Sequence, residues 1–270
     1  MLRYSLFFLL FLLVAVAPAH AAETFDFVII QPGQPGTSED AQPVMDSLAA
    51  YIQEKLGGEV AVHGRYFNRV KDADAYLADN HPRWGIVQLG YFLGRGEASC
   101  MTPLAATRPG GSESDMWRML VVKGGPDEWQ SAKGTVYGTM LFQPDVAARL
   151  LFGKGAGDLP FSLEGTFRPL RALRSVLRGK ATGVILDQPQ YDAVQSLPQS
   201  DDLKVLQASD PLPTSAVVAF GPTAEIHDRL RGILQDMQND PAAADLLQLL
   251  QTEGFGPADS RLETMRENGA

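Results

Sequence analysis

One thiol, four imidazoles and a scatter of carboxylates are the groups in this sequence that could do covalent or metal chemistry. Cys100 is the single cysteine, so no internal disulfide forms, and its expected place is that of a buried, inert thiol rather than a nucleophile. His63, His81 and His227 stand singly on different elements, and no metalloprotease-like His–Glu pair occurs. No metal and no cofactor are therefore expected. The run Gly153-Lys154-Gly155-Ala156-Gly157 looks like a phosphate-binding loop, but it follows a helix and not a strand, so it reads as a helix cap and loop. There is no Gly-Lys-Ser/Thr loop and no Gly-x-Ser-x-Gly elbow. Without a nucleophile and a base that can be paired, the chain is not read as an enzyme.

The elements that hold these residues begin after an export signal. Met1-Leu2-Arg3-Tyr4 carries one positive charge, and an apolar run from Leu6 to Val16 follows that is too short to span a bilayer stably. Ala19 and Ala21 fit a small-residue cleavage site, which predicts a cut after Ala21; an uncleaved N-terminal anchor is the alternative. No cysteine follows closely enough for lipid attachment. The expectation is an exported, soluble domain with no membrane anchor once residues 1–21 are gone. The net charge of −9 becomes more negative when Arg3 leaves, which disfavours nucleic acid as a partner.

The mature chain reads as alternating strands and helices. Phe25–Ile30 is a strand, a helix carries Val44, Leu48, Ile52 and Leu56 at four-residue spacing, and Glu59–Val62 is a second strand. A helix over 68–79 and a strand over Trp84–Leu89 complete a parallel unit with right-handed crossovers. Strands are expected at 116–122, 135–141, 182–186 and 203–206, with helices opened by Pro144, Pro169 and Pro189. After a strand over 215–220, only helices are expected: 223–237, 241–250 and 258–266.

In this order the chain resembles a type 2 periplasmic solute-binding protein of the phosphate/phosphonate-binding family of ABC transporters. The resemblance is carried by Gln31-Pro32 ending the first strand, Tyr66-Phe67-Asn68-Arg69-Val70 at the second helix and Gln88-Leu89-Gly90-Tyr91 closing the third strand. Further on it is carried by Met116–Val122, by Asp127–Gly134 and by Leu206–Pro213. It implies an α/β fold of two lobes, each a mainly parallel sheet flanked by helices. Two hinge crossings, near 103–107 and 211–215, would join lobe 1 (residues 23–104 plus 215–270) to lobe 2 (residues 105–214).

The resemblance implies a small molecule held in the interlobe cleft and delivered to an inner-membrane ABC permease from the periplasm, by a protein acting as a monomer. A ligand-sensing module for a membrane receptor or kinase is the alternative, and an exported enzyme on the same fold a third. Ligands of open parallel sheets lie off the carboxyl ends of strands, where Gln31, Tyr91, Gln143 and Asp187 stand. Tyr66, Trp117 and Arg168 join them through the family likeness. Tyr66, Tyr91 and Trp117 have a second reading as core aromatics, Arg168 as a solvated side chain, and Asp187 as a helix cap. Where the family cradles phosphate with small hydroxyl residues, this chain has Met140-Leu141-Phe142-Gln143-Pro144-Asp145. Tight binding of phosphate or simple phosphonates is thus not expected. A ligand with an apolar or aromatic body fits better, and an organic anion near Arg118 or Arg168 stays open.

Overall fold

The structure, a computed structural model, describes residues 23–268. The expected export segment, residues 1–21 with its cleavage site, lies outside them.

β1 (Glu23–Ile30) buries Phe27, Val28, Ile29 and Ile30 in succession, as a strand covered on both faces must. α1 (Ser38–Lys55) opens on a capping box. The Thr37 hydroxyl accepts from the Asp40 N–H at 3.2 Å, and the Asp40 carboxylate accepts from the Thr37 N–H at 3.0 Å. Its inner face buries Met45, Leu48, Ala49 and Ile52. β2 (Val60–Phe67), α2 (Val70–Asp79) and β3 (Trp84–Val87) follow, and β1 pairs in parallel with both strands. Residues 89–95, expected to start as strand, form α3 (Leu89–Arg95). The next segment, expected as a crossing from Pro103, is β4 (Met101–Thr107).

The chain then crosses to the second lobe. β5 (Ser114–Asp115) precedes β6 (Arg118–Val122) and β7 (Gly134–Gly138). The strand expected over 135–141 stops at Gly138, and residues 139–142 make a 3-10 turn that buries Thr139, Met140 and Leu141. α4 (Pro144–Phe152) ends on Gly153 at φ 64°, the left-handed cap that glycine adopts without strain, so the glycine-rich run is a cap and loop. β8 (Phe161–Gly165), not anticipated from the sequence, precedes α5 (Pro169–Leu177), β9 (Gly183–Leu186), α6 (Gln188–Gln195) and β10 (Leu203–Ala208). α5 buries Ala172, Leu173 and Val176 while Arg171 and Arg174 stay at the surface, the amphipathic division its sequence dictates.

β11 (Leu212–Pro213) pairs with β5 as a small two-stranded tie between the outgoing and returning chain. β12 (Ala216–Phe220) inserts between β3 and β4, and Thr107 donates its N–H to the Ser215 carbonyl at 3.0 Å. α7 (Glu225–Asp236) and α8 (Ala244–Leu249) cover this sheet. The C-terminal region is not purely helical: β13 (Phe255–Pro257) adds an edge strand to β4 before α9 (Arg261–Glu267).

Besides the β5–β11 tie, the described residues form two larger sheets, ordered β13-β4-β12-β3-β1-β2 and β10-β6-β9-β7-β8. Each has a parallel core, β2-β1-β3 and β8-β7-β9, bordered by antiparallel strands where the chain enters or leaves. Pro103 sits inside β4 because the ladder there is bulged: Val217 faces Ala105 and Val218 faces Pro103, which leaves Leu104 unpaired. Cys100 is exposed, not buried: it occupies the tight turn after α3 at φ 51°, which carries its side chain outward.

Candidate functional site

Where the lobes meet, the chain leaves a cavity of about 240 Å³. Its walls come from the carboxyl ends of strands on both sides. Gln31 and Gln88 follow β1 and β3 in the first sheet; Met140 and Asp187 follow β7 and β9 in the second. Thr107 and Thr214, at the two crossings, form its floor, with the Thr214 hydroxyl donating to the Thr107 carbonyl at 2.6 Å. A neighbouring hollow of about 250 Å³ shares Gln31, Gln34, Thr107 and Gln251 with it and extends along the start of α1 to Tyr66.

The lobes touch beside this cavity. Gly33 stands at φ +89°, and a Cβ there would lie 2.1 Å from the Thr139 carbonyl oxygen and 2.9 Å from the Phe142 ring. Only a residue without a side chain lets the two backbones approach so closely. On the far side α3 meets α4: Gly90 and Gly94 face Gln143, and Val146 packs in the apolar cluster that also holds Tyr91 and Phe92.

An acidic cluster dominates the polar chemistry. The Asp187 Oδ1 caps α6, accepting from the Gln190 N–H at 2.9 Å; the second oxygen has no protein partner among the described residues. Asp115 Oδ1 accepts from the Met116 and Gln188 N–H groups at 2.7 and 2.8 Å, and its Oδ2 accepts from Trp117 Nε1 at 2.9 Å. Burial, and then the nearby Asp115 carboxylate, push the Asp187 pKa up to about 7. Gln190 donates through Nε2 to the buried Thr139 hydroxyl at 2.9 Å, while its Oε1 is buried with no protein partner among the described residues.

The seven residues singled out from the sequence go to different places. Gln31, Trp117 and Asp187 line the cavity. Tyr66 lies in the neighbouring hollow, its hydroxyl pKa raised by burial to about 12. Tyr91 is fully buried on α3, and its hydroxyl donates to Asp74 Oδ1 at 2.6 Å, with burial pushing its pKa up. Gln143 packs between the lobes and does not reach the cavity, and its Nε2 has no protein partner among the described residues. Arg168 stands on an outer groove between the lobes with Asn68 and Arg69. Arg118 points away from the cavity, donating to Gln188 Oε1 at 2.8 Å with its guanidinium 4.3 Å from the Tyr191 ring centre.

Sequence reading missed Asp115, Gln190 and Gln88. Gln88 follows β3 as Gln31 follows β1, so the strand-end rule reaches it. Asp115 had no signal, because its place depends on the short β5–β11 tie. Among the described residues no group of histidine, cysteine, aspartate and glutamate is arranged to hold a metal, and no helix is long and apolar enough to cross a membrane.

Two α/β lobes, a double crossing and a cavity at the strand ends define a type 2 periplasmic binding protein fold. Solved structures share it. XAC2383 from Xanthomonas citri, determined bound to ATP, matches with a TM-score of 0.70 at 16% identity over 92% of this chain and 97% of its own. A binding protein component of an ABC phosphonate transporter from Pseudomonas aeruginosa matches with 0.65 at 12% identity over 92% and 88%. PhnD1 from Prochlorococcus marinus, in complex with methylphosphonate, matches with 0.65 at 10% identity over 92% and 97%. The profile of the family described as "ABC transporter, phosphonate, periplasmic substrate-binding protein" matches residues 130–262. Residues 130–262 thus resemble this phosphate/phosphonate-binding family, and the fold is that of type 2 periplasmic substrate-binding proteins. No curated protein sequence matches it significantly.

Proposed function

We propose that this protein captures a small solute in the interlobe cavity and delivers it, from the periplasm, to an inner-membrane ABC importer. The observation that carries this reading is the cavity's position at the carboxyl ends of β1, β3, β7 and β9, closed on one side by the two crossings. The first sheet draws its strands from 23–107 and 216–257 and the second from 118–208, which supports lobes of 23–104 plus 215–270 and of 105–214. Closure about the crossings would enclose the ligand, and a ligand that prefers the closed form shifts the population toward it.

Gln31, Trp117 and Asp187 are the proposed ligand contacts, joined by Gln88 and Gln190. Tyr66 serves a ligand long enough to enter the neighbouring hollow. Tyr91, Gln143 and Arg168 are assigned to the core and to the seam between lobes. The test is reconstitution of the importer in proteoliposomes with protein carrying its co-purified ligand. Stimulated ATP hydrolysis and ligand uptake support delivery. No stimulation, with ligand-dependent binding to a receptor's sensor domain instead, would move the function to sensing.

A further inference from the structure

We infer that the cavity selects a small organic cation with N–H donors, a protonated amine or amidinium that carries no oxyanion group. This rests on the solute-binding reading above and specifies its ligand. The cavity lining holds the carboxyls of Asp115 and Asp187 and, among the described residues, no lysine, arginine or histidine. A phosphate or phosphonate would enter beside two acidic groups with no cation to offset its charge.

At the starts of α6 and α1, backbone donors are already taken by the protein's own side chains. At the start of α6, the Gln190 N–H goes to Asp187 and the Gln188 N–H to Asp115, and Pro189 has none to give. At the start of α1, the Asp40 N–H goes to the Thr37 hydroxyl and the Thr37 N–H to Asp40. α4 begins with Pro144 and holds Asp145 in its first turn. Arg118 is engaged by Gln188 and Tyr191, and Arg168 stands on the outer groove.

What the cavity offers instead is acceptors. Asp187 keeps one carboxylate oxygen without a protein partner, and Gln190 Oε1 is a buried acceptor with none. An unmatched buried acceptor is costly, and an N–H donor from a ligand removes that cost. An ammonium group, with three donors and no acceptor, suits this set, and glutamines at 31 and 88 add further carbonyl oxygens. Around Asp187 the other charged or titratable groups are Asp115, Arg118 bound through Gln188, Tyr191, and Asp192, which accepts from Gln188 Nε2 at 2.7 Å. A cation favours ionised Asp187, so its binding strengthens with pH across the neutral range, whereas an anion's would weaken.

The test uses mature protein dialysed free of small molecules. It is offered three pools of yeast extract: retained on cation exchanger, retained on anion exchanger, and unretained. Native mass spectrometry identifies the captured compound, and calorimetry follows its affinity together with that of methylphosphonate and phosphate. The expected result is capture from the cation pool and affinity that rises from pH 6 to pH 8. Asp187→Asn, which keeps the helix cap, should weaken binding by about tenfold or more. Capture from the anion or unretained pool, methylphosphonate or phosphate binding at or below about 1 μM, or affinity that falls with rising pH overturns the inference while leaving solute binding in place. Capture from no pool overturns both.

Discussion

Two polar residues, His227 and Asp187, show how single side chains set the stability of this protein. Trp84 is fully buried, and its Nε1 donates to His227 Nδ1 at 2.9 Å. His227 therefore carries its proton on Nε2, which faces the Pro222 carbonyl at 3.1 Å. His227→Phe keeps the ring volume but strands the Trp84 N–H, and a loss of about 1–3 kcal/mol is expected from urea unfolding midpoints. Asp187 acts through pH. Its folded pKa, about 7, is above the ordinary aspartate value, so the folded state binds the extra proton. The associated stability is fully present below about pH 4 and is lost as pH rises through 7, with a slope of at most about 1.4 kcal/mol per pH unit. In Asp187→Asn that component of the slope should vanish, which unfolding measured at intervals from pH 4 to 8 will show.

At the scale of elements, the approach of the lobes hangs on Gly33. Its positive φ and its 2.1 Å clearance leave no room for a methyl group against the Thr139 backbone. Gly33→Ala should destabilise by about 1–3 kcal/mol and raise the radius of gyration in small-angle scattering, because the lobes must part. An unchanged scattering profile would show that the contact does not hold the lobes together. The α1 capping box gives a local contrast: Thr37→Ala should cost about 1 kcal/mol and leave the lobes where they are. Helix starts were legible wherever proline opened them, at Pro144 and Pro169, since proline fixes φ and lacks only an N–H that the first turn does not use. β8 and β13 were not legible. β13 includes Gly256 and Pro257, poor strand formers by themselves, and pairs only because β4 presents it with an open edge.

On the scale of the whole molecule, the apolar cluster of Val28, Val87 and Phe92 continues through Met140 and Val146 into the second lobe. Arg261, the first residue of α9, is tied to the return crossing by a 2.6 Å hydrogen bond to the Pro211 carbonyl and is also ion-paired with Asp259. That pair holds the Asp259 pKa below the usual carboxylate range. The C-terminal helix thus braces the hinge from the first lobe. A ligand that closes the cavity should stabilise the folded state by about 2.7 kcal/mol at one hundred times its Kd. Differential scanning fluorimetry across a ligand titration measures this as a concentration-dependent rise in Tm.

Composition and hydrophobic period alone determined that the chain is an α/β protein without a disulfide, with a parallel βαβαβ start and proline-opened helices. These are local properties: a run such as Phe27–Ile30 or the stripe of Met45, Leu48 and Ile52 specifies its element wherever it ends up. Gln31 and Asp187 were found because a strand's carboxyl end can be read from its own residues. Which strand ends face one another could not be. Asp115 reaches the cavity through a two-residue strand, Tyr91 turns inward because Leu89–Arg95 coils into a helix, and Arg168 falls outside because it stands at the start of α5, beside Asn68 and Arg69 on the outer groove. The charge of the cavity is the sum of side chains brought from residues 31 to 251, and only the tertiary structure decides which of them meet.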